Sequence, residues 1–391
     1  MLSVLSRARK SLGRAAVALA ALAVAACEPV TTAGSGPAVD RSQPVPVALL
    51  VPAGSGQASD ELLARSLQNA ARLAAADLGN VQIDLRVYNT AGQPSRAATV
   101  AAQAVEEGAR IILGPVFAQE ANAVGAAVAP SGVNVLSFSN NPDIAGGNVF
   151  VLGPTFQNTA NRLSRYAVSQ GSGRIMVVND RNTAGQLGRT AVERAVAQSG
   201  GTLVAAMDYE FSQNGIVSAA PGIVERAKAS NAQALFLTAD TAGALPLVTQ
   251  LLRENGLPAD TARFIGLTRW DIPSATLSLP GVQGGWFALP DPGVYGQYEQ
   301  RYRAAYGEAP HPISGLAYDG VAAVGALLKR GASDGLSGRA LTQGSGFVGV
   351  NGIFRLLSDG TNERGLAVAQ IRNNQVVVID PAPRSFGGAG F

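Results

Sequence analysis

The sequence predicts an α/β fold made of two parallel-sheet domains. Short β-branched apolar runs alternate with alanine-rich stretches of helical spacing, and this rhythm runs through the chain twice. The 391 residues leave room for two domains of roughly 100–200 residues each.

The first strand is residues 45–51, an apolar run bounded by prolines and glycines that reads as buried on both faces. Ser59-Asp60-Glu61 predicts a helix start, with the serine as cap and the acids favouring the helix dipole. Leu63, Leu67, Ala70 and Ala74 then form one apolar face. Strand 83–88, helix 94–107, strand 111–113, helix 119–129 and strand 133–137 follow. From Thr155 the alternation restarts, with helices over 155–170, 185–198, 216–230 and 242–254. The strands between and after them are 175–178, 203–209, 234–238 and 264–267. A glycine-rich strand region at 280–288 precedes helices 295–306 and 313–329. The end of the chain lacks helical spacing. Runs 352–357, 366–371 and 376–379, separated by Ser358-Asp359-Gly360 and Asn373-Asn374, predict a C-terminal β meander.

The N-terminus reads as an address. Arg7, Arg9, Lys10 and Arg14 precede a short apolar run, too brief to span a bilayer. The run ends in Val24-Ala25-Ala26-Cys27, which resembles a bacterial lipobox. Residues 1–26 are then a lipoprotein signal peptide, Cys27 the lipidation site and 27–44 a flexible Pro/Gly tether. Cys27 is the only cysteine, so the chain can form no internal disulfide. Glu28, in place of the Asp that retains such lipoproteins at the inner membrane, points to the outer membrane.

Processing reverses the charge. The whole chain is +3, but loss of the four leader cations leaves 26 basic residues against 27 acidic, a net of −1. No nucleic-acid partner is expected from such a balance. Catalysis is short of parts. The single histidine, His311, is wedged between Pro310 and Pro312, and Cys27 is committed to lipid, so no metal, cofactor or catalytic residue is assigned. Gly331-Ala332-Ser333-Asp334-Gly335 matches a nucleophile-elbow pattern but follows a helix rather than a strand, and reads as a helix stop. Gly54-Ser55-Gly56 lacks the third glycine of a dinucleotide fingerprint, and reads as a tight turn facing a cleft.

Four segments carry a family resemblance. They are Gly114-Pro115-Val116-Phe117, the run from Val135 to Pro142 ending in Asn-Pro, Ala317-Tyr318-Asp319-Gly320-Val321, and Phe347-x-Gly349-x-x-Gly352 with Asp359-Gly360 after it. In this order they resemble the Leu/Ile/Val-binding-type (type I) periplasmic binding proteins. The resemblance implies two lobes, 45–142 with 284–340 and 150–280 with 350–382, and a ligand between them. The chain also resembles the LpoA/LppC/YraM-like lipoproteins, which implies a peptidoglycan-synthesising penicillin-binding protein as partner. The alternative is the solute-binding lipoprotein of an ABC-type amino-acid or amide transporter, with a permease and a small solute as partners.

The cleft candidates follow strand ends, where ligands of open parallel sheets bind. In amino-acid-binding members of the family, hydroxyls after the third and fourth strands hold the ligand carboxylate. The matching loops here carry Phe117, Ala118 and Gln119, and Ser139 and Asn140. Asn179, Asp180 and Thr183 follow the first strand of lobe two, where the family's aromatic residue is replaced by Ala184. Asp240 and Asp271 are the candidate acids for a ligand ammonium. Trp270 either fills the lobe edge or stacks on a ligand, with Arg269 available for a carboxylate.

Overall fold

A computed structural model of the chain describes residues 36–40, 42–332 and 334–387. Cys27, the leader and most of the tether lie outside these residues, as does Ser333 of the elbow-like pattern.

Lobe one is built on five parallel strands, β1 (Val45–Val51), β2 (Ile83–Asn89), β3 (Ile111–Leu113), β4 (Asn134–Ser137) and β5 (Val149–Val151), in the order β2-β1-β3-β4-β5. Helices α1 (Ala58–Ala76), α2 (Pro94–Glu106) and α3 (Ala118–Val128) cover it. Val47 to Val51 are buried without exception, as expected of a parallel strand covered on both faces. The predicted cap at Ser59 is displaced. The helix starts at Ala58, with Gln57, two residues before Ser59, at the cap position, and Glu61 instead accepts a hydrogen bond from the Gly54 N–H at 2.6 Å.

The chain then enters lobe two through α4 (Phe156–Ser169), whose N-terminus is closed by a reciprocal capping box between Thr155 and Asn158. There follow β6 (Arg174–Asp180), α5 (Thr183–Ser199), β7 (Thr202–Tyr209), α6 (Gln213–Ala229), β8 (Ala234–Leu237), α7 (Leu245–Glu254), β9 (Arg263–Gly266) and β10 (Trp286–Leu289). The chain returns to lobe one as α8 (Pro292–Tyr306), α9 (Gly315–Arg330) and the short α10 (Gly338–Leu341). Tyr298, Tyr302, Leu316 and Val324 from α8 and α9 join the lobe-one core. Gly331 ends α9 in the left-handed conformation at φ +89°, so the elbow-like pattern is a helix stop.

The C-terminal strands divide. β11 (Phe347–Gly349), β12 (Gly352–Leu356) and β13 (Asn362–Arg364) form an antiparallel sheet of their own, whose Phe347 and Phe354 pack with lobe one. β14 (Ala367–Arg372) and β15 (Gln375–Asp380) form a hairpin on the edge of the second sheet, ordered β15-β14-β10-β9-β8-β6-β7. Two expected boundaries change accordingly. β10, placed in lobe one by the sequence reading, pairs with β9 and β14 in lobe two. Residues 350–356, placed in lobe two, pack against lobe one. Hydrogen-bonding partners decide sheet membership, and they are remote in sequence.

Two of the three crossings are tied together, the one from β5 to α4 and the one from β13 to β14. The Asn362 amide donates to the carbonyls of Val151 and Gly153, and Asn158 donates to the Asn362 carbonyl. Among the described residues no helix is long and apolar enough to cross a membrane.

Candidate functional site

A cavity of about 270 Å³ opens where the two lobes meet the crossings. Lobe one supplies Asn140, from the loop after β4, and Pro312, Ile313 and Leu316 at the start of α9. Lobe two supplies Phe156 and Thr159 from the first turns of α4, and Leu267, Thr268, Arg269 and Ile272 after β9. Pro154, Thr155, Ala288, Leu289, Pro290, Asn351, Arg364 and Leu366 complete the wall. The lining is mostly apolar with a few convergent polar groups, which is how small-molecule sites are built.

The cation at its base is Arg364, 5% exposed. Its guanidinium reaches Asp319 at 3.4 Å and donates to the Leu152 carbonyl, while its Nε–H has no partner. Asp319 is fully buried and accepts from the Val350 N–H at 2.7 Å and from the Asn351 side chain at 2.9 Å. Burial pushes the Asp319 carboxyl up, and the Arg364 charge and the donors from Asn351 and Val350 pull it back. Two of the motifs read from the sequence therefore meet here, because Asp319 of the Ala-Tyr-Asp segment holds the Val350-Asn351 turn of the Phe-x-Gly segment. Gly349 permits the approach, since a Cβ there would fall inside the Asp319 carboxylate. A second orphan lies nearby. The Thr268 hydroxyl is buried and makes no hydrogen bond.

Arg269 separates this cavity from a second hollow of about 280 Å³, lined by Asp271, Tyr295, Glu299 and Val376 among others. Its guanidinium forms a two-pronged pair with Asp271, one bond being Nε to Oδ1 at 2.9 Å.

Of the residues singled out in the sequence, Asn140 and Arg269 line the cavity, and Asp271 stands behind Arg269. The others lie elsewhere. Trp270 is not a stacking platform, being fully buried in the lobe-two core against Gly266 and Gly285, where its ring occupies the space of their missing side chains. Asp180 is buried and accepts from Tyr209 and, at 3.3 Å, from Thr238, so it clips together β6, β7 and β8. Asn179 is buried beside it and donates to the Asp180 carbonyl. Thr183 and Asp240 are exposed outside the cavity. Gly54 and Ser55 form the turn before α1, where the Ser55 hydroxyl accepts from Gln57. Phe117, Ala118 and Gln119 begin α3, with Phe117 packed over Gly92. The Ser139 hydroxyl is engaged inside its own loop, accepting from the Asn141 N–H at 3.1 Å. Sequence reasoning missed Arg364, Thr155, Thr159 and Ile313 as lining residues.

A family model described as periplasmic binding protein matches residues 44–375. The chain belongs to the periplasmic binding protein family. That family implies a periplasmic location, and its members are in general ligand-binding rather than catalytic proteins. No curated protein matches the chain. Among solved structures, a branched-chain amino acid ABC transporter periplasmic ligand-binding protein from Burkholderia xenovorans is similar over 88% of this chain and 97% of its own, with a TM-score of 0.69 and 19% identity. An ABC transporter substrate-binding protein from Desulfitobacterium hafniense in complex with Leu covers 86% and 100%, at 0.64 and 16%. A solute-binding protein of an ABC transporter from Rhodopseudomonas palustris, in complex with 3,4-dihydroxybenzoic acid, covers 86% and 96%, at 0.59 and 17%. At these identities the likeness establishes the fold.

Proposed function

We propose that this periplasmic binding protein is the solute-binding component of an ABC-type transporter, tethered to the envelope through acyl chains on Cys27. One observation carries the reading. The interlobe cavity draws its walls from both lobes and from the segments that cross between them, so a ligand inside it contacts both lobes at once. Its volume of about 270 Å³ lies just below the range of roughly 300–1,000 Å³ typical of drug-sized ligands, and suits a small solute. The solved structures named above support a transporter role, whereas a peptidoglycan synthase as partner finds no such support.

The test is the melting temperature with and without a library of small metabolites. A ligand present at 100 times its Kd stabilises the native state by about 2.7 kcal/mol, which moves the midpoint by several degrees. We expect at least one small solute to do so. If none does, and the protein instead retains a penicillin-binding protein from solubilised envelope membranes, the synthase-regulator reading replaces this one.

A further inference from the structure

We infer that the hollow behind Arg269 binds the cationic end of a solute, an ammonium or guanidinium on a short apolar chain, with Glu299 as its counter-ion. The inference rests on the solute-binding reading and names the chemical class of the solute. The hollow adjoins the interlobe cavity, and Arg269, Leu289 and Pro290 line both. One wall comes from lobe one. Pro292, Tyr295, Gly296 and Glu299 stand at i, i+3, i+4 and i+7 on α8, so they share one face of the helix, and that face lines the hollow. Lobe two faces them with Arg269, Asp271, Val376 and Val378. The helix face leaves room for a ligand, since a Cβ on Gly296 would meet no atom within 4 Å.

Charge decides what the hollow accepts. Arg269 and Asp271 form a two-pronged pair and cancel each other. Glu299 is part-buried and makes no hydrogen bond or ion pair with any described residue. The lining therefore holds one uncompensated negative charge. Tyr295 feels it, because burial and then the Glu299 carboxylate push its phenol up to about 12, and the ring stays neutral. A neutral aromatic ring beside a free carboxylate suits a cation, which the ring face attracts and the carboxylate neutralises. A ligand carboxylate would be repelled by Glu299 and would find Arg269 already engaged. The apolar remainder of the wall suits a hydrocarbon chain.

The experiment is calorimetry on the folded full chain, together with its melting temperature, using four probes: butylammonium, butylguanidinium, 1-butanol and butyrate. We expect one or both cations to bind about tenfold or more tightly than butanol, and butyrate to bind more weakly still. Glu299→Gln keeps the shape and removes the charge. It is expected to weaken the cations about tenfold and to leave butanol unchanged. Gly296→Leu fills the hollow and places a better helix former on α8, so it is expected to abolish cation binding without lowering the apo melting temperature. Butanol or butyrate binding as tightly as the cations overturns the cation site, as does an unchanged cation affinity in either variant. Glu299→Gln weakening every probe alike also overturns it, being the mark of a contact between Glu299 and Arg269 across the lobes. Each of these results leaves the solute-binding reading standing. If all four probes fail to bind, the cation class falls, and the metabolite library decides the solute-binding reading separately.

Discussion

Arg364 holds three parts of the chain together, and its neighbours show how. Its Nη groups join β13 to α9 and to the chain leaving β5, and its guanidinium lies over the Phe354 ring at 5.2 Å. His311 stands close by, one residue before Pro312 in the cavity wall. Its Nδ1 accepts from the Ile313 N–H at 3.4 Å, which requires the unprotonated nitrogen, and burial holds its pKa below the ordinary 6.5. The unfolded chain therefore takes up the proton first as pH falls. Stability is fully present above pH 6.5 and declines below it, as pH approaches the depressed folded pKa. Because His311 is the only histidine, replacing it isolates the effect. In urea titrations between pH 7 and 5, His311→Gln is expected to flatten the slope of stability against pH. An unaltered slope would assign that slope to other groups.

At the scale of elements, lobe two depends on how the loop after β9 folds back. Trp270 lies under the sheet between β9 and the segment leading into β10, in the positions vacated by Gly266 and Gly285. The same loop presents Thr268 and Arg269 to the cavity, so the tryptophan sets the depth from which they emerge. Trp270→Ala is expected to destabilise the protein by about 3–5 kcal/mol, as large core truncations do. Trp270→Phe is expected to cost less, since it also removes an indole N–H that has no partner. Chemical denaturation of both variants checks the order. Equal and negligible losses would show that the loop is held by other contacts.

For the whole molecule, the crossing from β5 to α4 and the crossing from β13 to β14 are bound to each other through Asn362, Asn158 and Arg364, which ties the lobes at a common region. The cavity sits at that region, which couples its occupancy to lobe position. The proposed anchor precedes this machinery in the chain. Cys27 lies outside the described residues, and the segment expected to be a flexible tether is packed in its second half, with Gly36 against Leu336 and Ser337 and Val39 buried in the lobe-one core ahead of β1. Cys27→Ala is therefore expected to release a soluble protein with an unchanged melting temperature. Fractionation that leaves wild type and variant equally membrane-bound would refute the lipid anchor.

The sequence by itself determined what local periodicity encodes. It specified the strand-helix alternation, the limits of β1 and β3 to the residue and the helix stop at Gly331, because burial on one or both faces imposes a spacing readable within ten residues. Only the tertiary structure decided which sheet β10 joins and whether Trp270 faces a ligand or a core. Pairing partners and enclosing walls come from distant parts of the chain. The site shows the same division. Asn140 and Arg269 follow strand ends and were legible on that ground, whereas Arg364 meets Asp319 from 45 residues away. Its unpartnered Nε–H exists only because the fold buries it and supplies acceptors for the other end of the guanidinium.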